Sequence, residues 1–155
     1  MAGPPLILTP PIGVAGCEPE LAASTPIYYL LRNKKKLGNF IAANVSPSTK
    51  YLRYHVENLP KDGLGCPGRW LVRCAWDHFR QCGVSIAGLR GEWTFGDNLD
   101  AVNRLTLGSQ QTIEQAALQT WAADRAREFG FPAVALLVCD GAPGQYQSVD
   151  VLFTP

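Results

Sequence analysis

The sequence predicts an α+β fold built on one central mixed, largely antiparallel sheet. Three observations carry this. Three strand-like stretches follow one another from Ile27, joined by short turn-forming connections. Two helical patterns then flank a single strand, and the chain closes on two apolar stretches separated by "GAPGQ". The expected order is a three-strand meander, a helix, a strand, helices, and a terminal strand pair.

The elements follow in order. Residues 1–26 hold six of the twelve prolines and read as a Pro-rich arm, a linker, or the scar of a larger protein. Residues 27–155 read as a single domain, the size that suits one core. "IYYLLRN" is rich in aromatic and branched residues, and "KLGNFIAANVS" follows a tip at Lys34 to Lys36. "TKYLRYHVENLP" alternates, with Tyr51, Arg53, His55 and Glu57 on one face and Leu52, Tyr54 and Val56 on the other, until Pro60 ends it. In "RWLVRCAWDHFRQC" the apolar Leu71, Ala75, Phe79 and Cys82 recur at helical spacing, and Gly83 is a C-terminal stop. "VSIAGLRGEW" is the next strand. "GDNLDAVNRL" is a short helix that Asp97 or Asn98 can cap. "SQQTIEQAALQTWAADRAREFGF" reads as one longer helix, capped by Ser109 or Thr112 and closed by Gly130. "PAVALLVCD" and "YQSVDVLFTP" are the last strands.

Composition excludes several classes. Hydrophobic residues make up 46% and charged residues 17%, a globular balance. Fourteen Lys and Arg against thirteen Asp and Glu leave a net charge of +1, so no global field draws nucleic acid or an acidic membrane. Five cysteines with no C-x-x-C pair argue against a disulfide framework and a zinc cluster, and a reducing cytoplasm is the simplest setting. Cys74 and Cys82 fit small buried positions. The start lacks the basic region of a signal peptide, and its prolines forbid a spanning helix. Two histidines do not make a metal site, and His78 reads as a surface residue.

The densest local signal is "GLGCPGRWL". Gly63, Gly65 and Gly68 stand directly before a helix whose first turn carries Arg69. Glycines let the backbone approach a pyrophosphate, and a helix N-terminus offers free N–H groups and partial positive charge. Pro67 removes one donor. There is no Gly-Lys-Ser/Thr, which excludes a nucleoside-triphosphate loop. The spacing Gly63-x-Gly65-x-x-Gly68 fits the dinucleotide fingerprint, yet an antiparallel meander precedes it and Glu92 lies beyond the expected acidic position. A bare strand-to-helix connector is the plain alternative.

On these residues the chain resembles the GNAT family of N-acetyltransferases: three antiparallel strands, a Gly-x-Gly loop opening a helix, another strand, and a helix ending in Gly-Phe before final strands. The resemblance implies that Gly63, Gly65 and Gly68, with Arg69 and Leu71, bind the pyrophosphate of acetyl-CoA or another acyl-CoA, and that splayed strands hold the pantetheine arm. It pairs Asn98 and Ala101 with the family's Asn-x-x-Ala helix, which implies that Asn98 is a further cofactor-binding residue, and Gly130 and Phe131 with its Gly-Phe ending. Pro60 stands where the family has Arg or Gln, Asn98 is further from Gly130 than one helix allows, and Ala126 stands where the family has its tyrosine acid. The resemblance therefore implies no catalytic acid here.

Two further clusters carry chemistry. His55 and Glu57 share a strand face and can take the proton of an attacking amine, directly or through water, as can Glu92. In "RGEWTFGDN", Arg90, Glu92, Trp93, Asp97 and Asn98 gather at a strand end, with Arg90, Trp93 and Asp97 placed to meet a substrate. The plain readings are a solvent-facing row and a capping turn beside a core tryptophan. Three functions follow. One is an acyltransferase acting on a small-molecule or protein acyl acceptor, with a homodimer left open. Another is a toxin or effector module of a larger bacterial secreted protein, with its site at "RGEWTFGDN". The last is a non-catalytic binding domain.

Overall fold

The computed structural model describes residues 7–9, 27–32, 35–58, 68–81, 83–108 and 111–155. The chain divides into two compact units, Met1–Ile86 and Ala87–Pro155. Both combine strands and helices, as the α+β class requires, and every ladder within each unit is antiparallel among the described residues. No helix among those residues is long and apolar enough to cross a membrane.

The first unit holds β1 (Ile7–Thr9), β2 (Ile27–Arg32), β3 (Lys35–Val45), β4 (Tyr51–Asn58) and α1 (Gly68–Gln81). The expected meander is β2–β3–β4, and β1 adds a strand at its edge, with Ile7 opposite Leu31. That strand lies inside the segment read as an arm. Its Ile-Leu-Thr is a short apolar run between proline pairs, which a strand tolerates at its ends but not within. The tip between β2 and β3 is narrower than Lys34 to Lys36, because Lys35 and Lys36 already pair with Arg32 and Leu31.

β3 and β4 run in register from Asn39 opposite Asn58 to Val45 opposite Leu52. Their turn closes on itself: Lys50 N–H donates to Ser46 O at 2.8 Å and Ser46 N–H to Tyr51 O at 3.2 Å. Lys50 sits at φ 63°, the left-handed conformation that lets so short a turn reverse the chain. The alternation in β4 holds, with Leu52 fully buried and Arg53 and His55 exposed. Helix α1 packs on β3 and β4. It buries Val72, Ala75 and Phe79, three and four residues apart, as a core-facing stripe must be. Gly83, at φ 79°, ends it as expected. Gly83 N–H donates to Arg80 O and Val84 N–H to Phe79 O, the paired bonds of a Schellman stop, and Val84 is buried after the turn.

The second unit holds β5 (Gly88–Trp93), α2 (Asp97–Gly108), α3 (Ile113–Ala117), α4 (Trp121–Glu128), β6 (Ala133–Asp140) and β7 (Ser148–Thr154). β7 lies between β5 and β6 and is antiparallel to both. One sheet face is core. Leu89, Trp93, Val149, Val151 and Phe153 are buried, and the buried alanines of α4 belong to the helix that packs against β5 and β7.

The single long helix expected between residues 109 and 131 is two helices. Thr120 breaks it. Its backbone is extended (φ −85°, ψ 162°), and its hydroxyl donates back to Ala117 O at 2.6 Å while accepting from Ala123 N–H at 3.2 Å. A threonine that satisfies one helix end and starts the next competes with continuation of the helix, which its β-branched side chain disfavours in any case. Thr112 caps α3, with Gln115 completing a capping box. Ser109, the other expected cap, lies outside the described residues. Gly130, at φ 87°, closes α4 by the same paired bonds as Gly83, from Gly130 N–H to Arg127 O and from Phe131 N–H to Ala126 O.

Candidate functional site

The most developed polar cluster among the described residues forms on the other face of the second unit's sheet. In β5 the alternation sends Leu89, Gly91 and Trp93 to the core and Arg90 and Glu92 to the opposite side. β7 brings Asp150 directly across from Glu92. The Arg90 guanidinium then grips Asp150 with two bonds, Nε to Oδ1 at 3.1 Å and Nη2 to Oδ2 at 2.6 Å, while Nε also meets Glu92 Oε1 at 3.1 Å. A planar fork on a carboxylate is the strongest common form of this pairing. It raises the arginine pKa further, chiefly through the Asp150 hydrogen bond, with both carboxylate charges adding to the effect against partial desolvation.

This geometry sorts the carboxylates. The Asp150 side chain is 14% exposed and committed to the fork, whereas that of Glu92 is 36% exposed. Glu92 is thus the more reachable proton acceptor of the pair. Asp150 was missing from the candidates read from the sequence. The one signal for it was an acid in the polar register of the otherwise apolar "SVDVLFT".

The other residues of "RGEWTFGDN" do not join the cluster. Trp93 points into the core, where its ring lies 6.4 Å from that of Phe153 and covers Gly91 so closely that a Cβ there would sit 2.8 Å from Trp93 Cε2. Asp97 is exposed as the first residue of α2, entered through Gly96 at φ 88°, whose carbonyl accepts from Asp100 N–H. Asn98 serves another helix: its Oδ1 accepts from Ala122 N–H at 3.2 Å, in the first turn of α4.

The connection between β6 and β7 is held from α2. Asn103 reads the backbone of Tyr146 with both ends of its amide, Nδ2 to the carbonyl at 3.0 Å and Oδ1 from the N–H at 2.7 Å. Thr106 Oγ1 accepts from Gly144 N–H at 2.9 Å and donates to Val102 O at 2.8 Å. Burial, with Cys139 and Glu114 nearby, pushes the Tyr146 phenol upward in pKa. In α4, Arg125 is buried against Trp121, its guanidinium carbon 4.8 Å from the ring centre, and pairs with Glu128 at 3.0 Å.

In the first unit, His55 is exposed on β4 opposite Ala42, and Glu57 stands opposite Phe40. The Glu57 side chain lies outside those described, as do those of Leu71 and Cys74. Gly68 opens α1 and Arg69 is exposed in its first turn, which contains no acid. Gly63, Gly65 and the rest of the segment from Leu59 to Pro67 lie outside the described residues, as do Lys34 and Cys82. His78 is half-buried on α1, and desolvation holds its pKa below the usual imidazole value. Comparison of the chain with models of known protein families, with curated proteins and with solved structures finds no match.

Proposed function

We propose that this protein is an acyl-CoA-dependent N-acyltransferase-like protein whose glycine-rich segment, ending at Gly68, holds the CoA pyrophosphate. The observation that supports this most is the order of elements. An antiparallel meander leads into α1 at Gly68, then come β5, helices ending at Gly130 and Phe131, and an antiparallel strand pair. That is the order the family resemblance implies. The donor set fits an anion: the first-turn N–H groups of a helix have no partner within the helix, and the first turn of α1 carries an exposed Arg69 and no acid.

Acyl-CoA, when bound, supplies an activated thioester carbonyl. The chain's own part is to seat the phosphates through Gly63, Gly65, Gly68 and Arg69, and to accept the proton that the attacking amine loses. His55, Glu57 and Glu92 are the candidate acceptors. Calorimetric titration with acetyl-CoA and with CoA tests this. Micromolar affinity is expected, equivalent to roughly −8 kcal/mol, and Gly65→Glu is expected to abolish it by placing a carboxylate against the pyrophosphate. Absence of heat for both ligands at high protein concentration makes the segment a connector and sinks the proposal.

The Arg90, Glu92 and Asp150 cluster favours a second reading, an effector module acting through the outer sheet face beside the Thr94–Gly96 turn. Its expected signature is growth arrest on expression in a bacterial host, relieved by Arg90→Ala, in a protein with no affinity for CoA. Arrest that persists in Arg90→Ala at equal expression removes this reading.

A further inference from the structure

We propose that β6 is a self-association edge, along which two copies of this chain pair antiparallel, β6 against β6. The inference stands apart from the acyltransferase reading and uses none of its residues.

Among the described residues β6 is hydrogen-bonded on one side only, to β7. Its eight residues, Ala-Val-Ala-Leu-Leu-Val-Cys-Asp, contain no proline, no lysine and a single charge at the last position. Exposed edges are ordinarily guarded by charged side chains, proline or a bulge. β6 has the bulge, between Leu136 and Val138, but uses it in the opposite sense. Leu137 drops out of register with β7, and both Leu137 and Val138 stand in solvent, 47% and 60% exposed. The mid-point of an open edge is therefore its most apolar point. Ala133 and Ala135 are exposed in the same strand.

Charge selects the occupant. With no charge between Ala133 and Cys139, the edge has nothing to attract an acidic or basic partner strand. A second copy fits through symmetry. Around a two-fold axis at Leu137, Leu137 faces its own copy and Val138 faces Leu136 of the other chain, in an isologous pairing that closes on itself. The two Asp140 carboxylates then fall at opposite ends, about 20 Å apart at ~3.4 Å per residue. A parallel pairing brings the same carboxylates to neighbouring strands about 5 Å apart, which disfavours it.

The test is sedimentation equilibrium of the full chain over concentration, with amide hydrogen exchange read on β6. Mass is expected to rise from one chain toward two, with a dissociation constant on the order of tens of micromolar, as suits an interface of small area. Exchange of those residue 134–139 amides that do not bond β7 is expected to slow over the same range. The double variant Leu137→Lys, Val138→Lys sets like charges across the axis and is expected to weaken association about tenfold or more. Both positions are exposed, so its thermal midpoint should stay near that of the parent. If the variant does not fold, the concentration dependence of exchange in the parent decides alone. A chain that stays monomeric to about 1 mM, far above the expected constant, overturns the proposal. So does a dimer that both lysines leave intact, a ladder of ever larger species, or a monomer in which the β6 amides that do not bond β7 are already protected.

Discussion

Phe153→Ala is expected to lower the free energy of unfolding by about 3–5 kcal/mol. Phe153 is fully buried, stands opposite Leu89 on one side and Val134 on the other, and meets the tilted ring of Trp93 at 6.4 Å. Truncation removes the transfer energy of the ring and leaves a void between neighbours that cannot close. The strands are locked by their ladders, and Trp93 is already pressed over Gly91. Phe153→Leu fills most of that void and should cost less than half as much. Urea unfolding measures both. A midpoint shift with unchanged slope is the expected form, and a loss below about 1 kcal/mol in the alanine variant would mean that this core does not pack as drawn.

Gly141→Ala is expected to cost about 2–3 kcal/mol, concentrated in the turn between β6 and β7. Gly141 sits at φ 113°, where L-residues are strained, and an added Cβ would lie 2.6 Å from Gln145 O and 2.9 Å from Tyr146 Cα. Both obstacles are backbone, so relief requires the turn itself to open. Gly144 meets a different obstacle. At φ 80° an added Cβ would lie 2.6 Å from Leu107 Cβ and 2.9 Å from Leu107 Cδ1. Rotation of the exposed Leu107 side chain moves Cδ1 but not Cβ, so the turn and α2 must draw apart. Gly144→Ala should therefore also cost about 2 kcal/mol, left-handed backbone included. Amide exchange locates the damage. Gly141→Ala is expected to speed exchange at Gly144 and Tyr146, whose N–H groups are held by Thr106 and Asn103. Exchange unchanged from the parent would show that the clamp from α2, not the turn, sets the local stability.

What was legible in the sequence was what depends on near neighbours. Alternation in β4 placed the right residues on each face, because strand period is a property of the local backbone. Gly83 and Gly130 were read as helix stops and are, because a Schellman turn needs left-handed backbone within a few residues. Features that depend on distant partners were not legible. Asp150 lies 60 positions from Arg90, and only the β5–β7 register makes them neighbours. Asn98 was read as a cofactor or capping residue, and its acceptor serves a helix 24 positions on. The split at Thr120 was lost for another reason: the apolar spacing continues through the break, and only the threonine's competing hydrogen bonds show it. The strand β1 was obscured by its prolines, which are strong evidence against a strand interior but none against a three-residue edge.

The capping in the second unit also bears on where an anion can land. Ala122 N–H is taken by Asn98, Ala123 N–H by the Thr120 hydroxyl and Asp124 N–H by the Thr120 carbonyl, so little of the head of α4 remains to receive a phosphate. The head of α2 carries Asp97 and Asp100, and that of α3 carries Glu114 within a closed capping box. These ends spend their partial positive charge within the protein. A polyphosphate drifting across this half of the molecule finds every helix start either occupied or guarded by a like charge, whereas α1 begins with Gly68 and Arg69 and has no acid to repel it.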